Sequence, residues 1–213
     1  MADKQISKNI QIRSGYVDYE EIEFLNILPK DDREDSYPFK SIQYSTIEEP
    51  EYHFYCFWQI YTWNRALLDD DNAEMNNIRK CVREASELNS FSLPISGNET
   101  KKRYNELIYN QDALTYIEKD MKLLNEKLQA SKKMLVILYD RLDTCVNPLQ
   151  WNKAVSPLID YWRSNHSSFS NLMPKIFVRT DLFRQVEGTN TARLSSNIIN
   201  IEWSIGEVFG YFI

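Results

Sequence analysis

Three features of the sequence predict an α/β fold built on a parallel sheet. The first is Met134-Leu135-Val136-Ile137-Leu138-Tyr139, six apolar residues without a break, closed by Asp140 and followed three positions later by Asp143. A short continuous apolar run is the pattern of a strand buried on both faces, as parallel sheets require. The second is the order of segments after that run: a helical pattern, an apolar run at 175–179, a short helical stretch and a third run at 198–203. Strands alternating with helices imply parallel neighbours joined by right-handed crossovers. The third is helical periodicity over 48–131, which predicts a helical group packed against that sheet.

The 213 residues suffice for one domain with a sizeable core. Apolar residues make up 43% and charged residues 26%, ordinary globular usage that argues against disorder. The net charge of −6 argues against a broad nucleic-acid surface. Cys56, Cys81 and Cys145 stand at no ligand spacing and suit reduced thiols. The polar start has no apolar stretch behind it, and no run approaches membrane-spanning length. The expectation is a cytoplasmic protein that does not enter a membrane.

Taken in order, 9–19 alternates apolar and polar residues over its first half and predicts an early strand bent at Gly15. The charge run 30–35 reads as a solvated loop. Thr46-Ile47-Glu48-Glu49 fits a capping box, with Pro50 in the tolerated first turn of a very aromatic helix. Phe54, Phe57, Trp58 and Tyr61 share one face of it, a core stripe in preference to a base-stacking platform. Asp69-Asp70-Asp71 lacks the Gly and Glu of a calcium loop and reads as a helix start, with Met75, Ile78, Val82 and Ala85 as the apolar face. The stretch 93–98 is a loop by its Pro and Gly. Helical periodicity resumes at Tyr104, Leu107 and Ile108 and continues through Leu114, Ile117, Met121, Leu124 and Leu128 to Lys132-Lys133, cations suited to a helix C-terminus. Beyond the central strand, Val155, Leu158, Ile159 and Trp162 mark another helix. Pro174 precedes the second strand, and Ala192 to Ser196 suggests a further helical turn. The third strand runs into a capping box at Ser204-Ile205-Gly206-Glu207 and an apolar helix over 208–213.

Chemistry concentrates at the end of the central strand. Ligands of open parallel sheets sit outside the carboxyl ends of the strands, where Asp140 and Asp143 stand. An apolar strand ending in Asp, then a helix, then a strand ending in Arg179-Thr180-Asp181, resembles the second half of the ATPase core in bacterial Orc/Cdc-like and STAND-type P-loop ATPases, relatives of the AAA group. The resemblance covers roughly 112–213 and places the helical segment 46–131 as an insertion within one partial domain. It implies Mg-ATP as cofactor and ATP binding or hydrolysis coupled to a conformational switch. Asp140 becomes the Walker B carboxylate and metal ligand, Asp143 a second catalytic acid, and Arg179 or Thr180 the sensor near the γ-phosphate. Structural roles for the same residues are a cap on the following turn for Asp140 and Asp143, and a pair with Asp140 or Asp181 for Arg179.

One departure is decisive for activity. No G-x-x-x-x-G-K-[ST] occurs in the chain, and Gly97-Asn98-Glu99-Thr100-Lys101 has no second Gly. Without a loop of amides and its Lys little holds a triphosphate. The expectation is therefore a truncated or degenerate P-loop ATPase module, inactive alone and prone to self-association through unpaired strand edges. The alternative is a non-catalytic, acidic α/β module that binds protein partners. No G-x-S-x-G elbow is present, His53 and His166 make no zinc pattern, and the Asn of Asp143-Thr144-Cys145-Val146-Asn147 stands one residue early for a kinase catalytic loop.

Overall fold

The computed structural model describes residues 19–28, 49–68, 73–90, 98–146, 148–186 and 198–201. Three parallel strands, β1 (Glu21–Asn26), β2 (Lys133–Tyr139) and β3 (Leu172–Ile176), form a sheet in that order with β2 central. Among the described residues, the interval between β1 and β2 holds the helices α1 (Pro50–Leu68), α2 (Ala73–Ala85), α3 (Asn98–Ile108) and α4 (Gln111–Ala130). A short α5 (Leu142–Cys145) and the long α6 (Trp151–Asn165) link β2 to β3, and one turn of helix, α7 (Thr180–Phe183), comes after β3. The described helices of both connections share a core with one face of the sheet, as right-handed crossovers between strands added in sequence order require. That face contributes Leu25, Leu135, Ile137, Tyr139 and Leu172 to the core shared with α1, α4 and α6. The opposite face carries Ile22, Phe24, Met134, Val136 and Met173. None of the helices among the described residues is long and apolar enough to cross a membrane.

Helix α1 is the hub. It packs on α2, α3, α4 and α6, and only its first two residues after Pro50 and scattered later positions reach solvent. A helix apolar on nearly all sides has to be central. The aromatic stripe is thus core: Phe57 stacks on Tyr61 at 5.6 Å, and Trp58 meets Tyr139 edge-on at 5.8 Å while its Nε1 donates to the Ala154 carbonyl at 2.7 Å. Helix α4 starts where Asn110 Oδ1 accepts from the Ala113 amide at 3.1 Å, and ends at Ala130, with Ser131 as its cap and Lys132 after it in a left-handed conformation with φ 50.

The lysine pair does not close α4 as the sequence predicts. Lys133 opens β2, and the two side chains reach Glu20 (3.6 Å) and Glu21 (2.5 Å) at the start of β1. Opposite charges on neighbouring strand starts fix the register, with Glu21 beside Lys133.

Strand placement departs from expectation at three points. The early strand expected over 9–19 falls almost wholly outside the described residues; the strand that pairs with β2 begins at Glu21. The second strand is shifted toward the N-terminus and contains Pro174. Leu135 N bonds Asn171 O, and Phe177 N bonds Tyr139 O, so the odd-numbered residues face β2. Pro174 turns its nitrogen to the outer edge, where a missing N–H costs no ladder bond. The third strand is a correction. Ile198–Ile201 carries neither strand nor helix, and Ile199 is 81% exposed. An apolar pattern becomes a strand only where a sheet edge accepts it, and these four residues pair with none. The capping residues 46–48, the runs 30–35 and 69–71, the loop 93–97, the turn at 192–196 and the last helix at 204–213 lie outside the described residues.

On α2 Met75, Arg79 and Val82 are buried and Ile78 packs half-buried against the core as expected, while Ala85 is exposed and Ser86, directly after the helix, is buried. Arg79 Nε donates to the Ala66 carbonyl at 2.8 Å and its Nη2 to Glu23 at 2.6 Å. Arg83 reaches the next carbonyl, Leu67. Two cations thus serve the carbonyls at the C-terminal end of α1, where the helix dipole favours them.

A second buried charge lies on α4. Asp120 Oδ2 accepts from Trp63 Nε1 at 2.9 Å and Ser86 Oγ at 2.6 Å. Burial raises its carboxyl above the ordinary value, against the lowering effect of the Ser86 and Trp63 hydrogen bonds. A folded value above the unfolded one gives stability that is complete below the unfolded pKa and is lost as pH rises through the folded pKa. Asp120→Asn keeps one acceptor oxygen for both donors and removes the charge. Urea unfolding at about pH 4 and about pH 7 should show the variant gaining on the parent at the higher pH. An equal difference at both values would show that the carboxyl is not raised.

Candidate functional site

The C-terminal ends of β2 and β3 bring all the sequence-predicted site residues to one end of the sheet. Asp140 comes directly after the last residue of β2 and is exposed. Its Oδ1 accepts from the Arg141 amide at 2.8 Å. Arg141 itself is left-handed, φ 62 and ψ 31, a conformation that costs a non-glycine residue about 1 kcal/mol or more. Helix α5 holds the turn. The Arg141 carbonyl accepts from Thr144 N (3.0 Å), Thr144 Oγ1 (2.9 Å) and Cys145 Sγ (3.3 Å), while Leu142 and Cys145 bury their side chains. Asp140 therefore braces a tight turn, one of the structural roles the sequence allows, and points a carboxylate outward from it.

Asp143 lies one short turn on, with its side chain 36% exposed, and its Oδ2 stands 3.9 Å from Arg179 Nη1. Arg179 caps α7, and its guanidinium grips Asp181 through Nε at 3.2 Å and Nη2 at 2.9 Å. That hydrogen-bonded grip holds the Asp181 carboxyl below the usual carboxylate range. Thr180, exposed, opens α7. Two anchors position this helix. Trp151, at the start of α6, donates its Nε1 to the Leu182 carbonyl at 3.0 Å, and Leu182 and Phe183 pack on the core.

The structure thus joins Asp143, Arg179 and Asp181 in one charge cluster, places Thr180 beside them, and leaves Asp140 at the adjacent strand end. The sensor candidate Arg179 is already neutralised by Asp181, the second of the two partners its sequence context offers. Magnesium accepts one or two carboxylates and completes its shell with water and phosphate oxygens, and Asp140 with Asp143 supplies such a donor set. Among the described residues no group of three or more His, Cys, Asp and Glu side chains is placed to hold a metal without such help. The phosphate side fits less well: Arg179 is committed to carboxylates, and the sequence supplies no phosphate loop.

Sequence reasoning missed the left-handed Arg141 and the buried Glu23–Arg79 pair. An arginine in the core-facing heptad-like series Met75, Arg79, Val82 is the signal that points to the latter. No protein family, curated protein or solved structure was found to match this chain.

Proposed function

We propose that this chain is a P-loop-ATPase-like module that retains the magnesium carboxylate and sensor positions but lacks the phosphate grip, and so does not turn over nucleotide by itself. One observation carries the reading. The central strand of a parallel sheet ends at Asp140, and the strand beside it ends within four residues of Arg179 and Thr180, with Arg179 3.9 Å from Asp143. The carboxyl end of such a sheet is where a ligand site forms. Asp140 and Asp143 would hold a magnesium ion, which when bound offsets phosphate charge; Arg179 and Thr180 would face the terminal phosphate.

Titration of Mg-ATP into the purified chain should show weak binding, about millimolar, lost in Asp140→Ala, and no turnover. Micromolar, Asp140-dependent binding would mean that other residues supply the grip. Binding indifferent to Asp140 would leave the second reading, a non-catalytic acidic module in the same cytoplasmic setting that takes protein partners. That reading draws on the net charge of −6 and on the exposed Ile198, Ile199 and Ile201.

A further inference from the structure

A cleft of ≈ 360 Å³ opens between the start of α1 and α6, lined by none of Asp140, Asp143, Arg179 and Thr180. Its lining includes Glu51, Tyr52 and Tyr55 from α1, and Asn152, Ser156 and Asp160 from α6. The volume falls within the range of small-molecule sites, about 300–1,000 Å³. Among the described residues no lysine, arginine or histidine lines it. Among the described residues Glu51 makes no ion pair, and Asp160 pairs through Oδ1 with Arg163, one turn along its own helix, at 3.0 Å, with both side chains partly exposed. A single pair one turn apart on a helix surface is worth little, and the Asp160 carboxylate has lone pairs left for a second cation. Pro157 also lines the cleft, and its missing N–H leaves the Lys153 carbonyl without its intrahelical donor. The Ser156 hydroxyl is spent on Asn152 Oδ1 at 2.7 Å.

Acceptors and aromatic rings therefore dominate. Tyr52 is 38% exposed, and Tyr55 is half-buried, set edge-on against Tyr161 at 5.7 Å. We infer that this cleft binds an organic cation, an alkylammonium or guanidinium group, against the tyrosine rings and the Glu51 and Asp160 carboxylates. Two carboxylates beside π-faces suit a weakly hydrated cation. Calcium asks for six to eight oxygen ligands, and magnesium for an octahedral shell completed by water or phosphate, neither of which uses an aromatic wall. An anion would meet the carboxylates of Glu51 and Asp160, of which Asp160 has Arg163 as its cation. Such a cation comes either as a free diamine or as a Lys or Arg side chain of a basic peptide.

The test is titration of the full chain, followed by amide chemical shifts, with 1,4-diaminobutane, with a blocked Gly-Arg-Gly tripeptide, and with neutral 1-butanol. Saturable shifts confined to 50–56 and 152–161 should appear with one or both cations and not with butanol. Glu51→Gln with Asp160→Asn should weaken binding about tenfold, and Tyr52→Leu should weaken it several-fold, with thermal unfolding unchanged. Glu126→Gln, an exposed acid elsewhere, should change nothing. Response to the diamine alone assigns a free ligand; response to the tripeptide alone assigns a side chain. Absence of saturable binding, or equal binding in the neutralised and Glu126→Gln variants, overturns the proposal, because the acidic chain as a whole would then account for the attraction.

Discussion

Arg79→Ala should destabilise the protein by about 3–5 kcal/mol. Arg79 is one of the largest fully buried side chains, and the Glu23 side chain opposite is only 10% exposed. Removing the guanidinium takes the Nη2 hydrogen bond from a largely buried carboxylate, and strips the Ala66 carbonyl of its Nε donor. A double change tells pair from packing. Glu23→Leu with Arg79→Met removes both charges and keeps most of the volume, so it should cost much less than Arg79→Ala. Urea unfolding of the two singles and the double gives the coupling directly. A loss below about 1 kcal/mol for Arg79→Ala, or a double that simply adds the singles, would show that the pair is not a closed unit.

The same pair explains why β1 escapes a reading of the sequence while β2 does not. In β2 every side chain from Met134 to Ile137 is buried, so the apolar run announces itself. In β1 the helix-facing position next to Leu135 is Glu23, and the counterion that makes a charge tolerable there comes from α2, 56 residues away. Period-2 reasoning sees only Glu-Ile-Glu-Phe and has no access to a partner so distant in sequence. Pro174 misleads in a related way. A proline argues against a central strand, yet β3 is an edge, and the residue lies in outward register where its lack of a donor is harmless. The described part of the third run, 198–201, fails for the opposite reason, because a pattern without an edge does not make a strand.

The helices were more legible. Tyr104, Leu107, Ile108, Leu114, Ile117, Met121, Leu124 and Leu128 are all buried, since in α3 and α4 local periodicity and tertiary burial agree. The candidate site lies between these cases. That Asp140, Asp143, Arg179 and Thr180 would share one end of a parallel sheet comes from strand order alone. The pair of Arg179 with Asp181 is one of the two that the sequence offers, and the start of a four-residue helix settles which of them forms.

Tyr139→Ala should cost about 3–5 kcal/mol, as large aromatic truncations in cores do, and Tyr139→Phe about 1–3 kcal/mol. Tyr139 ends β2 and is fully buried. Its hydroxyl accepts from Trp162 Nε1 at 2.9 Å and shares a hydrogen bond of 2.6 Å with Thr62 Oγ1, while its ring meets Trp58 and Trp162 edge-on. One side chain thus ties the central strand to α1 and α6. Burial pushes its phenol well above the ordinary value, so the network stays neutral across working pH. In the Phe variant Thr62 can turn to a carbonyl of its own helix, but the indole N–H of Trp162 is left in the core with no acceptor, and that orphan sets the cost. The Ala variant adds a cavity beside the rings of Trp58 and Trp162. Because Tyr139 immediately precedes Asp140, loss of its anchor should also loosen the strand end: amide exchange at 139–142 should rise more than at 133–136. A Phe variant as stable as the parent would show that Trp162 finds another acceptor. Uniform exchange along β2 would mean that the strand end owes its order to the bonds around Arg141 rather than to the tyrosine beneath it.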